Sequence, residues 1–176
     1  MAAGNREVTP AAPGPAAGIR EVAVTMTVNG TQVTQTLPAR MTLAQLLRDE
    51  LGLTGTKVSC DLQACGACSV LVDGEPVSSC TFLAADADAS QVQTVEGLAG
   101  PDGLSDLQEA FMDSYALQCG FCTPGFLMMA TALLRENPGP SRDEIIEYLE
   151  GNICRCTGYQ PIIEAIQRVA EARRAR

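Results

Sequence analysis

Eight cysteines and no histidine stand in this chain of 176 residues. The cysteines are not scattered. Cys60, Cys65, Cys68 and Cys80 crowd one stretch, whereas Cys119, Cys122, Cys154 and Cys156 form two tight pairs within QCGFCTPG and CRCTG. A reducing compartment disfavours structural disulfides, so clustered cysteines in a chain of this size point to metal or redox chemistry. With histidine absent, a site built from soft ligands is all-thiolate, which belongs mainly to zinc or to iron-sulfur clusters. Eight ligands divide into two sites of four.

The first group is spaced C-x4-C-x2-C, with eleven residues before the fourth cysteine. This is the plant-type pattern for a [2Fe-2S] cluster, three ligands in one loop and one from afar. Such a loop wraps closely around its irons and turns backbone N–H groups towards sulfur; Gly66 and Ala67 are small enough to allow that approach. A structural zinc site is the alternative, and the spacing fits it less well. In the second group CxxC precedes one helix and C-x-C follows another. Taken alone it reads as a four-cysteine zinc site, although two thiolates one residue apart are awkward around a single tetrahedral ion. Beside the first loop, a second cluster is the better explanation. Thr123-Pro124 reads as the N-cap and first residue of a helix whose N–H groups would favour an anionic cluster.

The elements that must position these thiols follow from local patterns. Residues 1–20 are rich in Ala, Pro and Gly without periodicity, the composition of a disordered tail. Val22, Val24, Met26 and Val28 then alternate before Asn29-Gly30, a hairpin signal repeated as SVLV, Asp73-Gly74 and EPVSSC. Thr42 and Gln45 form a capping box ahead of Leu43, Leu46, Leu47 and Leu51, a short helix stopped by Gly52. QVQTVE supplies a last strand. Beyond residues 98–103, a Gly/Pro linker, the strand signals cease. Helices are predicted around Leu107 to Ser114, from Thr123 through the nearly all-apolar FLMMATALL, from a Ser141/Glu144 capping box through Leu149, and from Pro161 through Val169. The expected architecture is α+β: a small mixed unit at 21–97, then a four-helix unit at 104–176.

Composition excludes several functions. A net charge of -9 and the lack of a basic stripe argue against binding phosphate backbones. No apolar run spans a membrane and no export signal is visible, so a cytoplasmic protein is expected. No nucleophile-base pair is recognisable, so substrate chemistry falls to another polypeptide.

GTKVSCDLQACGACSVLVDG, SSC, TVEGL, QCGFCTPG and GNICRCTGYQPI together resemble the small iron-sulfur subunit of the molybdenum hydroxylases, the xanthine oxidase and carbon monoxide dehydrogenase family, over about residues 22 to 170. The resemblance implies an N-terminal β-grasp ferredoxin-like domain and a C-terminal helical domain, each holding one [2Fe-2S] cluster. It implies electrons leaving a molybdenum-pterin cofactor on a large subunit, passing through both clusters, and reaching FAD, usually on a medium subunit. By the same resemblance Cys60, Cys65, Cys68 and Cys80 hold the cluster farther from molybdenum, and Cys119, Cys122, Cys154 and Cys156 the nearer one. Gln118 matches a glutamine that contacts the pterin, and Cys156 a ligand whose sulfur lies close to it. Ser59 and Gln63 depart from the glycines common in the family's first loop, which bears on hydrogen bonding there rather than on the ligands.

Met128 and Met129 read as core filler, and EARRAR as a solvated helix end whose cations suit the helix dipole. Two competing functions remain at this level, a free-standing two-cluster carrier and a zinc-stabilised interaction module. Purines, aldehydes, N-heteroaromatics, carbon monoxide and aromatic acyl-CoA thioesters are the substrates in the family's range.

Overall fold

The computed structural model describes Gly18, residues 20–101 and residues 103–175. Of the expected disordered tail, residues 1–17 and 19 lie outside the described residues. Alternation at the start of the chain does what it predicts. β1 (Glu21–Val28) and β2 (Thr31–Pro38) pair antiparallel through a turn whose Asn29 and Gly30 have φ of 49° and 82°, the left-handed pair that matches strand twist. Val24, Met26 and Val28 are buried on one face. The second hairpin joins β3 (Ser69–Val72) to β4 (Glu75–Ser78) in the same way, with Asp73 and Gly74 at 52° and 92°.

Sequence reasoning did not show how the hairpins unite. β5 (Gln91–Gln93) lies between them, parallel to β1 and antiparallel to β3, giving the order β2-β1-β5-β3-β4, a β-grasp sheet. The last strand is shorter than QVQTVE suggests. Thr94 leaves the ladder because Asn29 replaces a strand neighbour. The Asn29 side-chain oxygen accepts the Thr94 N–H at 2.9 Å, and its amide donates to the Thr94 hydroxyl oxygen at 2.8 Å. Residues 95–98 then form a single 3-10 turn.

The expected leucine helix is also modified. Its capping box between Thr42 and Gln45 is present, but α1 (Leu43–Gln45) passes at once into a π-helical turn, Leu46–Glu50, in which the Leu51 N–H reaches back to the Leu46 carbonyl at 3.0 Å. Leu43, Leu46 and Leu47 still bury fully against Val24, Met26, Val70, Val72 and Val92, forming the first core. Each such side chain contributes about 1.5–3 kcal/mol.

Four helices follow: α2 (Asp106–Asp113), α3 (Thr123–Glu136), α4 (Arg142–Tyr148) and α5 (Gln160–Arg174). Ser141 caps α4 as predicted; α2 carries a Ser105/Gln108 box of the same kind. Phe111, Phe126, Ile145, Ile162 and Ile166 meet in a second core. Ile146, next to the fully buried Ile145 of α4, is 40% exposed. In EARRAR, Arg173 is not simply solvated, for it grips Asp106 at the start of α2 with contacts of 2.9 and 2.8 Å.

The two cores join across β3. Period-two alternation sends Val70 and Val72 into the first core and Leu71 to the opposite face, where Met128 and Ala132 of α3 cover it. This explains why α3 is apolar nearly all round, and it makes Met128 a joint between the cores. Val95 and Leu98 also pack against the helical side.

Candidate metal centres

The first loop has no regular structure of its own and is held from outside. Arg48 donates to the carbonyls of Thr54 and Thr56 at 3.1 and 2.6 Å, fixing the approach from the π-helical turn. Within the loop Asp61, Gln63 and Gly66 take φ of 55°, 63° and 68°. Left-handed residues set among right-handed ones turn successive N–H groups inward. The Ala64 N–H lies 3.3 Å from the Cys60 sulfur. N–H groups of Leu62 and then Ala64 lower the Cys60 thiol to about 7. Gln63 thus occupies a conformation that suits glycine, and its side-chain oxygen accepts a hydrogen bond from the Thr81 hydroxyl at 3.2 Å.

Cys80 arrives from the end of β4. Ser79, fully buried, donates its hydroxyl to the Cys68 carbonyl at 2.7 Å, so the SSC triplet clasps the far end of the loop. Burial pushes the Cys68 thiol up to about 11, against the pull of the Cys80 backbone. Gly66 is required for a reason the sequence did not reveal, since a Cβ there would meet the Asn152 side chain at 2.6 Å.

The second set gathers at the ends of three helices. The cap of α3 sits one residue earlier than expected: Cys122 is the N-cap, Thr123 the first helical residue, and Pro124 follows it. The shift arises because Cys122 is already αR and its carbonyl accepts the Phe126 N–H at 3.2 Å. Burial drives the Cys122 thiol up to about 12. Burial also pushes Cys154 up, but hydrogen bonds from the Thr157 hydroxyl and N–H outweigh it and leave the thiol below its ordinary value. Cys119 and Cys156 are exposed, with sulfurs 3.5 Å apart, and the Cys119 side chain holds Cys156 above its ordinary value. Tyr159, the N-cap of α5 at φ 69°, accepts the Cys154 N–H at 3.1 Å.

All eight cysteines are free thiols. Among the described residues no group of three or more His, Cys, Asp or Glu side chains is set to hold a single metal ion. Within each set the thiols instead interact most strongly in twos, Cys60 with Cys65, Cys68 with Cys80, Cys119 with Cys156, and Cys122 with Cys154, and more weakly across the pairs, Cys65 with Cys68, Cys119 with Cys122, and Cys154 with Cys156. Two pairs per set fit a binuclear cluster, in which each iron takes two thiolates. The C-x-C pair, awkward around one ion, is divided between two pairs. Thr123 adds a further mark of fit. Its hydroxyl is buried without a hydrogen-bond partner among the described residues, and a buried donor in that state calls for an acceptor beyond those residues, a part that a bound cluster could fill.

Gln118 is exposed beside Cys119, next to Tyr115, Leu117 and Phe121, which are 83%, 39% and 45% exposed. Ser79, Asn152, Thr157 and Tyr159 are site residues that sequence reasoning missed; their positions in SSC and GNICRCTGY were the available signal. Among the described residues no helix is long and apolar enough to cross a membrane.

A family model described as a 2Fe-2S iron-sulfur cluster binding domain matches residues 26–99, and one described as a [2Fe-2S] binding domain matches residues 94–167. The chain is 54% identical to the nicotine 6-hydroxylase small subunit of Paenarthrobacter nicotinovorans, over 82% of this chain and 87% of the relative. It is 47% identical to caffeine dehydrogenase subunit gamma of Pseudomonas sp. (strain CBB1), over 84% and 90%. Among solved structures, quinoline 2-oxidoreductase from Pseudomonas putida 86 superposes with a TM-score of 0.84 at 48% identity, covering 88% of this chain and 97% of that one.

Proposed function

Because the chain belongs to the small [2Fe-2S] subunits of the molybdenum hydroxylases, we propose that it carries electrons between a molybdenum-pterin centre on a large subunit and FAD, or another acceptor, on a further subunit. The observation that carries this reading is the arrangement of eight free thiols as two sets of two pairs. Cys60, Cys65, Cys68 and Cys80 would hold one [2Fe-2S] cluster, and Cys119, Cys122, Cys154 and Cys156 the other. Such clusters, when bound, take up and give back single electrons. The chain would hold them in place, turns the N–H groups of Ala64 and Thr157 towards the sulfurs of Cys60 and Cys154, and keeps water from Cys68, Cys80 and Cys154, which are buried.

Gln118 and Cys156 would face the pterin. The apolar surface of Tyr115, Leu117 and Phe121 beside them supports burial by a large subunit, and so favours a subunit over a free-standing carrier. Relatives named for nicotine, caffeine and quinoline make nitrogen heterocycles the substrate class we assign to the whole complex. We keep the division into 21–97, 98–103 and 104–176 as part of this proposal, and a cytoplasmic location suits eight reduced thiols.

Metal analysis and low-temperature EPR after dithionite test the reading. Iron, labile sulfide and two distinct spin-half signals are expected; stoichiometric zinc without a signal overturns it. Cys119→Ala removes one signal and stops electron flow from molybdenum. Full turnover with both signals in that variant refutes the ligand assignment.

A further inference from the structure

Consecutive carbonyls of the first loop are gripped by consecutive residues of the second. Ile153 donates its backbone N–H to the Cys65 carbonyl at 3.0 Å. The Asn152 side-chain amide donates to the Gly66 carbonyl at 3.2 Å. Asn152 is only 4% exposed, and its own N–H is anchored on the Leu149 carbonyl at 2.9 Å, so its place past the end of α4 is set. From the other side Gly125 packs so closely that a Cβ on it would strike the same Gly66 carbonyl. Ser69 closes the turn from within, giving that carbonyl its N–H at 3.2 Å and its hydroxyl at 2.9 Å. The turn carrying Cys65 and Cys68 is therefore held by residues that immediately precede Cys154 and follow Cys122.

We propose that Asn152 is a positioning residue that couples the two sites: when the second thiol set is loaded, Asn152 and Ile153 hold the Cys65–Cys68 turn in its ligating form, and the first site binds iron and sulfide more tightly than it would alone. This rests on reading both thiol sets as cluster sites. The physical basis is ordering. A four-thiol loop must give up backbone freedom to close on its metals, and a partner surface already fixed by its own metals removes part of that cost. Linkage makes the effect reciprocal, so loading the first site favours the second by the same factor. Coupling of this kind is typically several-fold to a hundredfold, and about tenfold is the expectation for one buried amide and one backbone bond.

The test uses the full chain, reconstituted anaerobically with graded ferric iron and sulfide, then reduced with dithionite and followed through the separate EPR signal of each site. In Cys156→Ala, which removes the second site but leaves the clamp, the first signal half-saturates at about tenfold higher iron. In Asn152→Leu, which keeps the bulk but loses the donor, the first signal shifts likewise while the second thiol set stays intact. The double variant shifts no further than either single one, a non-additivity that simple destabilisation would not produce. Additive shifts, or a first site whose iron dependence is unmoved in Cys156→Ala, overturn the proposal. Should Asn152→Leu fail to fold, Cys156→Ala alone decides the matter. A wild-type chain that takes zinc and shows no signal overturns the functional reading together with the coupling; two wild-type signals with independent loading overturn the coupling alone.

Discussion

The phenol oxygen of Tyr159 accepts the backbone N–H of Cys154 at 3.1 Å, while its ring stands edge-on to Phe126 with centroids 6.2 Å apart. One side chain thus joins a thiol of the second set to the helical core. Tyr159→Phe keeps the ring contact and strands the Cys154 N–H. The expected cost is about 1–2 kcal/mol, seen as a lower denaturation midpoint, with the second EPR signal altered and the first unchanged in shape.

Gly125→Ala places a methyl group against the Gly66 carbonyl, where backbone meets backbone and no side chain can swing aside. Overpacking of this kind costs about 1–3 kcal/mol or more. Because the strain falls between the two thiol sets, iron content should drop at both sites. Full iron with wild-type thermal stability would show that the helix and loop slide apart freely.

Met128 is fully buried against Leu71 on the second face of β3. Met128→Ala leaves a cavity at the joint between the cores and is expected to lose about 2–5 kcal/mol in denaturant unfolding. Met129, only partly buried, should tolerate Leu at little cost.

Hydrogen bonds from the Ser141 side chain and then its backbone hold the Glu144 carboxyl below its ordinary value. Because the folded value is depressed, its stabilisation is full above the unfolded pKa, near about 4.3, and disappears as pH falls through the folded value. Glu144→Gln should therefore lose stability at neutral pH and converge on the wild type in strong acid. Urea midpoints across that range give the comparison, and a constant gap would contradict it.

Short-range chemistry was legible in the sequence and long-range chemistry was not. Asn29-Gly30 and Asp73-Gly74 mark their hairpins because left-handed turns accept few residues, and Thr42, Ser141 and the cysteine spacings are equally local. Ser105/Gln108 had the same signature and was overlooked. The parallel pairing of β1 with β5 joins Val28 to Val92, far apart in sequence and dependent on the whole sheet. The π-helical turn at Leu46 and the early cap at Cys122 depend on tertiary packing and on a backbone angle, neither of which residue type reveals. The role of Asn152 depends on Gly66, 86 positions away in sequence, lying against it. The preference for glycine at position 63 becomes intelligible only with its φ of 63° in view.

β3 has its even-numbered valines in the first core and Leu71 on its opposite face, under Met128 and Ala132 of α3. A fragment cut from either half would lay bare a greasy seam that only the missing half fits. Either half expressed alone is therefore expected to be less soluble than the whole chain.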